Sequence, residues 1–169
     1  MGAQQQGADA TQGRWMVIPR TLCFVVNGDD VLLMKRAATK RVFPNQYNGL
    51  GGHIERDEDP LTSARREILE ECGLEVSELT LAAVHQIDTD GPSGILLFVF
   101  VGHSQHRDVV SDGREGTLEW IPIADVKHYD LVEDLPLILP RYLHSTVTEY
   151  AHVSYDASDQ LQMRYAHLL

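Results

Sequence analysis

Glu67, Glu70 and Glu71 fall within five consecutive residues of the segment "SARREILEECGL". On an α-helix, positions three and four apart share a face, so the three carboxylates project into one neighbourhood, away from Leu61 and Ile68. Like charges at these spacings cost a few tenths of a kcal/mol per pair, and anions in a last turn oppose the helix macrodipole by roughly 0.3 to 1 kcal/mol each. Arg66 offsets part of this through Glu70, but one cation does not neutralise three carboxylates. Hard divalent cations such as Mg²⁺ take oxygen ligands, and converging carboxylates are the arrangement that would justify the cost. Taken alone, an acidic run is a solvated helix face. The residues around it carry the chemical reading.

A helix from Pro60 to Cys72 would hold this trio. Asp59 can cap it, Pro60 suits its first position, and Gly73 suits the left-handed residue beyond its end. Leu61, Ala64, Ile68 and Cys72 recur every three or four residues, an apolar stripe that can lie on a sheet. Upstream, the three glycines of "YNGLGGHIE" signal tight backbone approaches beside a short strand. Trp15 to Val26 reads as a strand, "NGDD" at 27–30 as a hairpin turn and "VLLMKR" as the return strand. Downstream, Leu79 to Ile87 and Gly94 to Gly102 are strand candidates, followed by "LEWIPI" and a short "ADVKHY" turn or helix. "LVEDLPLILPRYLHSTVTEY" reads as helical from about Leu137, despite Pro136 and Pro140. "YAHVSYDASDQLQMRYAHL" alternates on both sides of "DASD", which predicts a C-terminal hairpin. Strands interspersed with two main helices point to an α/β sandwich with a mixed β-sheet. Residues 1–13, rich in Gln, Gly and Ala, read as a mobile tail, 14–149 as the main domain and 150–169 as a hairpin extension.

The 169 residues suffice for one well-cored domain, and 43% hydrophobic content is that of an ordinary globular protein. Fourteen Lys and Arg against 25 Asp and Glu leave a formal charge of −11, which argues against a nucleic-acid backbone or an anionic membrane as partner. A divalent cation can invert the local sign of an acidic cleft and so admit a small polyanion. Cys23 and Cys72 form neither a metal-site spacing nor a disulfide framework, and read as buried free thiols of a reducing compartment. The first residues lack the apolar core of a signal peptide, and Gln6 stands where a myristoylation signal needs Ser or Thr. The longest apolar run, Ile95 to Val101, is far short of the roughly 18 to 20 residues that span a bilayer. The expected compartment is the cytoplasm. Neither cysteine has an activating base nearby in sequence and no Ser-His-Asp pattern is present, so a covalent nucleophile is not expected.

Gly52, five residues, Glu58, seven residues, then Arg66-Glu67-Ile68-x-Glu70-Glu71-x-Gly73-Leu74 match every fixed position of the Nudix box, nine positions over 23 residues. The chain resembles the Nudix hydrolases, which cleave nucleoside diphosphates linked to another moiety, over roughly residues 15–145. The resemblance implies an α/β/α sandwich that holds Mg²⁺, or Mn²⁺, against a pyrophosphate. Carried over to this sequence, Glu70 and Glu71 are the main metal ligands, and Glu67 is a further ligand or the base that activates water. Glu58 falls at the rim as an outer ligand or as the partner of Arg66, and Arg66 orients a carboxylate. The backbone around Gly51 and Gly52 supplies a carbonyl to the metal. Family members often add an acidic residue from a later loop; Glu115 fits best and Glu119 second. His53 is either a rim histidine near the phosphates or an exposed strand end. The chemistry is consistent: a pyrophosphate is anionic at both phosphorus centres, so a metal ion must reduce repulsion of the attacking water and lower its pKa.

Within the family, "YNGLGGHIE", "VLLMKR" and "WIPIADV" resemble the branch that hydrolyses oxidised purine triphosphates such as 8-oxo-dGTP. There the Asn before the glycines contacts the purine, which makes Asn48 the first base-reading candidate; an amide both donates and accepts, as a purine edge requires. Tyr47 and Phe43 either line the pocket or belong to the core. Glu133 and Asp134 in "LVEDLP" resemble acidic base-reading residues of the same branch. The expected activity is Mg²⁺-dependent cleavage of a nucleoside triphosphate to monophosphate and pyrophosphate. An ADP-ribose or other nucleoside diphosphate-linked hydrolase is the second reading, and a non-catalytic nucleotide sensor the third, against which the complete glutamate set stands. The expected partner is a small-molecule nucleotide, without nucleic acid or membrane. The alternation of Val153, Tyr155, Leu161, Met163 and Tyr165 suits either a hairpin that adds to a second copy's sheet, giving a homodimer, or one folded onto its own domain.

Overall fold

A computed structural model describes residues 3–7, 12–76 and 78–166. Of the expected N-terminal tail, residues 1, 2 and 8–11 lie outside the described ones, and Ala3–Gln6 form one 3₁₀ turn.

The central strand β1 (Met16–Asn27) carries an uninterrupted buried run from Thr21 to Val26, the pattern of a strand covered on both faces. It pairs in parallel with β5 (Ser93–His103) along its whole length, from Met16↔Ser93 to Val26↔His103. Through the turn at Asn27–Asp30 it also pairs with β2 (Asp30–Arg36), but only over Val25–Asn27. Beyond that point the two strands diverge. The glycine segment fills the gap: β3 (Tyr47–Asn48) pairs with β2, whereas Leu50 and His53 bridge to Cys23 and Arg20 of β1. β4 (Leu79–Ile87) is antiparallel to β5, with a bulge between Leu81 and Ala83, and β6 (Gly116–Pro122) is antiparallel to β2. The path β3-β2-β1-β5-β4 continues into β7 (Glu149–Tyr155) and β8 (Leu161–Tyr165).

This mixed sheet is the middle layer of an α/β/α sandwich. On one face α1 (Pro60–Cys72) lays Ala64, Ile68 and Cys72 against Cys23, Val25, Leu32, Leu50 and Phe100. On the other, α2 (Leu135–Tyr142) packs Ile138, Leu139 and Tyr142 against Leu22, Phe24, Val26, Leu33 and Val99. Cys23 and Cys72 are buried and unbridged. No helix among the described residues is long and apolar enough to cross a membrane.

Two sequence expectations about the C-terminal third need adjustment. The second helix begins two residues before Leu137, because Pro136 is tolerated in a first turn, and it ends at Tyr142, shortly after Pro140. The rest of the stretch read as helical turns back into the sheet, where the Thr148 hydroxyl donates to Leu81 O at 2.9 Å. The hairpin folds onto its own domain: β7 runs parallel to β4, and Ala151 and Val153 are buried. β8 forms the outer strand of the path.

His85 on β4 is fully buried under α2 and shares a 2.6 Å hydrogen bond with the Tyr142 hydroxyl; its Nδ1 has no partner among the described residues. Burial lowers its pKa from 6.5 to about 4. The unfolded chain therefore binds the proton first as pH falls, so stability is full above about pH 6.5 and declines through the interval down to pH 4. The expected loss from this group is about 2 kcal/mol at pH 5 and about 3 kcal/mol below pH 4. Urea unfolding midpoints measured between pH 7.5 and pH 4 check this, with H85Q expected to flatten the slope.

Candidate active site

α1 is set by local chemistry. The Asp59 carboxylate accepts from the Leu61 and Thr62 amides at 2.9 and 3.0 Å, Pro60 opens the first turn, and Gly73 closes the helix at φ 74°. With the apolar stripe fixed against the sheet, Glu67, Glu70 and Glu71 project towards the glycine segment between β1 and β2. Gly51 adopts φ 132°, a backbone that side-chain-bearing residues rarely take, and its amide donates to Glu71 Oε2 at 2.8 Å. Gly52 lies so close to the helix that a Cβ built on it would stand 2.5 Å from Glu67 Oε1.

Arg66 gathers the remaining acids. Its Nε and Nη2 donate to the two oxygens of Glu58 at 3.0 and 2.6 Å, and its Nη1 donates to Glu67 at 2.9 Å and Glu70 at 3.0 Å. Nη2 also reaches the His53 carbonyl at 3.1 Å, tying the glycine segment to the helix. The Arg66 fork holds the Glu58 carboxyl down at about 2. Glu67 is pushed up by burial, against the pull of Arg66. Glu71 is pushed up to about 7, by burial first and then by Glu67 and Glu115, with the Gly51 amide opposing.

Glu67, Glu70 and Glu71 form one wall of a cleft of about 1100 Å³. The same cleft is lined by Asn48, Gly51, Gly52, His53, Glu115, Glu133 and Asp134. The residues that match a model of the NUDIX domain span 16–142, three quarters of the chain and the whole of this constellation except the hairpin. The chain belongs to the Nudix hydrolase family. Nudix hydrolases act on phosphorus-containing acid anhydrides, and the box read from the sequence is the segment that faces the cleft.

The comparisons with individual proteins agree on the family. The nucleoside triphosphatase NudI of Klebsiella pneumoniae (strain 342) is 33% identical over 118 residues, covering 63% of this chain and 83% of that protein. The m7GpppN-mRNA hydrolase NUDT17 of Danio rerio is 49% identical over 47 residues, which are 28% of this chain and only 16% of that protein's length. Among solved structures, the MutT protein of Bacillus halodurans has a TM-score of 0.75 at 25% identity, covering 88% of this chain and 97% of that one. The NUDIX domain of Shewanella oneidensis NrtR, crystallised with ADP ribose, has the same fold, with a TM-score of 0.68 at 15% identity over 83% of this chain and 96% of that one.

The geometry separates the expected site residues of this Nudix fold into two groups. Glu67, Glu70, Glu71, Gly52, Glu115, Asn48, Glu133, Asp134, His53 and Phe43 line the cleft. Glu58 and Arg66 are not part of the cleft lining; they form the clamp just described. The Gly52 carbonyl accepts from the Thr21 amide at 2.9 Å, which ties the glycine segment to β1. Tyr47 is absent from the cleft lining: its ring meets Tyr129 edge-on at 5.1 Å and its hydroxyl donates to Glu119 at 2.7 Å. That contact also occupies Glu119. Glu115 stays at the cleft, ion-paired with Lys40. Residues missed in the sequence are Arg20, Arg36 and Arg41, and the hairpin residues Val153, Tyr155 and Leu161, all of which line the same cleft.

Among the described residues no three His, Cys, Asp or Glu side chains stand as a ready-made metal cage, because Arg66 occupies the point where Glu58, Glu67 and Glu70 converge. The donor set nevertheless suits a hard divalent cation, being all carboxylate oxygen. A carboxyl at about 7 between two further acids is a place short of positive charge, which such a cation supplies.

Proposed function

We propose that this Nudix hydrolase is a Mg²⁺-dependent nucleoside triphosphate pyrophosphohydrolase that releases a monophosphate and pyrophosphate, with oxidised purines such as 8-oxo-dGTP as its favoured class. The observation that carries this reading is one cleft with carboxylates at one part and base-reading chemistry at another. Asn48 lines it with an amide whose oxygen accepts from the Gly49 amide at 2.9 Å, which leaves the NH₂ group for a ligand. Asp134 lines it too; its Oδ1 is buried without a partner among the described residues, and burial, with Glu133 beside it, raises its pKa to about 6. When protonated such a carboxyl donates as well as accepts, and its raised pKa lowers the cost of protonation, so the pair Asn48 and Asp134 can match an edge that presents both kinds of group. The triphosphatase relative supports a triphosphate.

Glu67, Glu70 and Glu71, with Glu115 from the loop before β6, would hold the cation. When bound, Mg²⁺ neutralises the phosphate oxygens and lowers the pKa of the attacking water. The chain's own part is positional. Gly51 fixes Glu71 through its amide, and Arg66 fixes Glu67, the further ligand or the base that activates water. The hairpin, 150–169, is then an extension of the domain 14–149 that closes the base end of the cleft, where the Tyr155 hydroxyl donates to Glu133 at 2.7 Å. A homodimer would use the outer edge of β8. The two buried free thiols suit the cytoplasm.

The test is Mg²⁺-dependent turnover across 8-oxo-dGTP, dGTP, the other triphosphates, ADP-ribose and a dinucleoside polyphosphate. The expected result is the highest kcat/KM for 8-oxo-dGTP, and a fall of roughly 10- to 100-fold in its preference over dGTP in N48A, the size expected when one discriminating hydrogen-bond pair is lost. A preference for ADP-ribose, or an N48A enzyme with unchanged base preference, would contradict the substrate assignment. Binding without turnover of any anhydride would leave a nucleotide sensor.

A further inference from the structure

Arg20 is a half-buried cation on the central strand, paired with Leu97 of β5 on one side and bridged to His53 on the other. Its Nε is buried with no hydrogen-bond partner among the described residues. A buried donor on a charged group is costly to leave unmatched, and such groups in folded proteins mark a missing ligand or a functional role. Its neighbours do not explain it. Arg20 shares the cleft with Arg36 and Arg41, both close enough to disfavour its charge along with burial. None of the three closes an ion pair among the described residues. Arg36 spends its Nε on the Val42 carbonyl at 2.9 Å, and Arg41 is exposed on the loop between β2 and β3. In a chain of net charge −11, three adjacent arginines in no ion pair among the described residues are the reverse of what composition favours.

The cluster also has a defined place. Arg20, Arg36 and Arg41 line the same cleft as Glu67, Glu70 and Glu71, so cations and carboxylates face one shared space. Guanidinium groups are the side chains that meet phosphate oxygens with two parallel donors. We infer that Arg20, backed by Arg36 and Arg41, forms an anion seat for a phosphate of the nucleotide beyond those taken up at the carboxylates, so that the cleft measures the length of the phosphate chain. The inference rests on the proposed nucleotide reading and adds a residue that selects triphosphates over diphosphates.

Titration calorimetry of the full chain in EDTA, with inorganic tripolyphosphate as the probe, tests the seat apart from catalysis. The wild type is expected to bind tripolyphosphate more tightly than orthophosphate, with about tenfold weaker binding in Arg20→Gln and in Arg41→Ser, and no weakening in Glu70→Gln. The exposed Arg41 position keeps the test valid should Arg20→Gln fail to fold. In turnover, Arg20→Gln is expected to raise KM for a triphosphate about tenfold while leaving KM for the matching diphosphate nearly unchanged. A wild type that binds no tripolyphosphate, or arginine variants that bind it as the wild type does, would overturn the seat. Should an ADP-ribose-type substrate prove best while Arg20 still governs tripolyphosphate binding, the seat stands and the substrate assignment falls.

Discussion

Glu70→Gln is expected to lower Mg²⁺-dependent turnover of the best nucleotide by on the order of 10³-fold, with the urea midpoint unchanged. The substitution keeps the shape of the side chain and removes its charge. Glu70 is exposed at the helix end, and its carboxylate accepts at 3.0 Å from Arg66, which retains Glu58 and Glu67 as partners. Little stability therefore rests on it, and an exposed i,i+4 pair contributes only about 0.3 to 0.5 kcal/mol. If its role were that of a solvated helix face, turnover would stay within about twofold of the wild type. Steady-state kinetics and equilibrium unfolding of the same preparation separate the two.

Gly52→Ala should produce the second largest loss, about 10²-fold in kcat/KM, for a purely steric reason. The added methyl would meet Glu67 Oε1 at 2.5 Å and Glu67 Oε2 at 2.9 Å. The obstacle is the far end of a flexible side chain, so the fold can accommodate the methyl by moving the carboxylate. Function cannot, because Glu67 then leaves its hydrogen bond to Arg66 and its position beside the glycine segment. The expected signature is lost activity with a small shift in unfolding midpoint. A large drop in stability at unchanged specific activity would show that Gly52 serves packing instead of Glu67.

The parts of this site legible in the sequence are those governed by local rules. The limits of α1 follow from Asp59, Pro60 and Gly73, each acting within one turn, and the spacing from Gly52 to Leu74 fixes which glutamates face the glycine segment. Tyr47 and Asn48 were both readable as pocket residues, yet successive residues of a strand point to opposite sides, and only Asn48 is at the cleft. Glu115 and Glu119 were ambiguous for a related reason: one precedes β6 and the other lies within it, held by Tyr47 and Tyr129. Arg20, Arg36 and Arg41 left no motif, because they meet only after β1 and β2 diverge around the glycine segment. Val153, Tyr155 and Leu161 were legible as strand residues, but their place in the cleft depends on β7 pairing in parallel with β4, about 66 positions earlier in the chain, as at Ala83↔Glu149. No local pattern encodes such a crossover.

The central claim is that the carboxylate wall directs cleavage between the phosphates of a nucleotide. It is tested most directly by identifying the products when 8-oxo-dGTP is incubated with the full chain and Mg²⁺. The nucleoside monophosphate and pyrophosphate in equal amounts, formed by the wild type and not by Glu70→Gln, is the result this account predicts. Release of orthophosphate with accumulation of the diphosphate, or turnover that survives in Glu70→Gln, would contradict it.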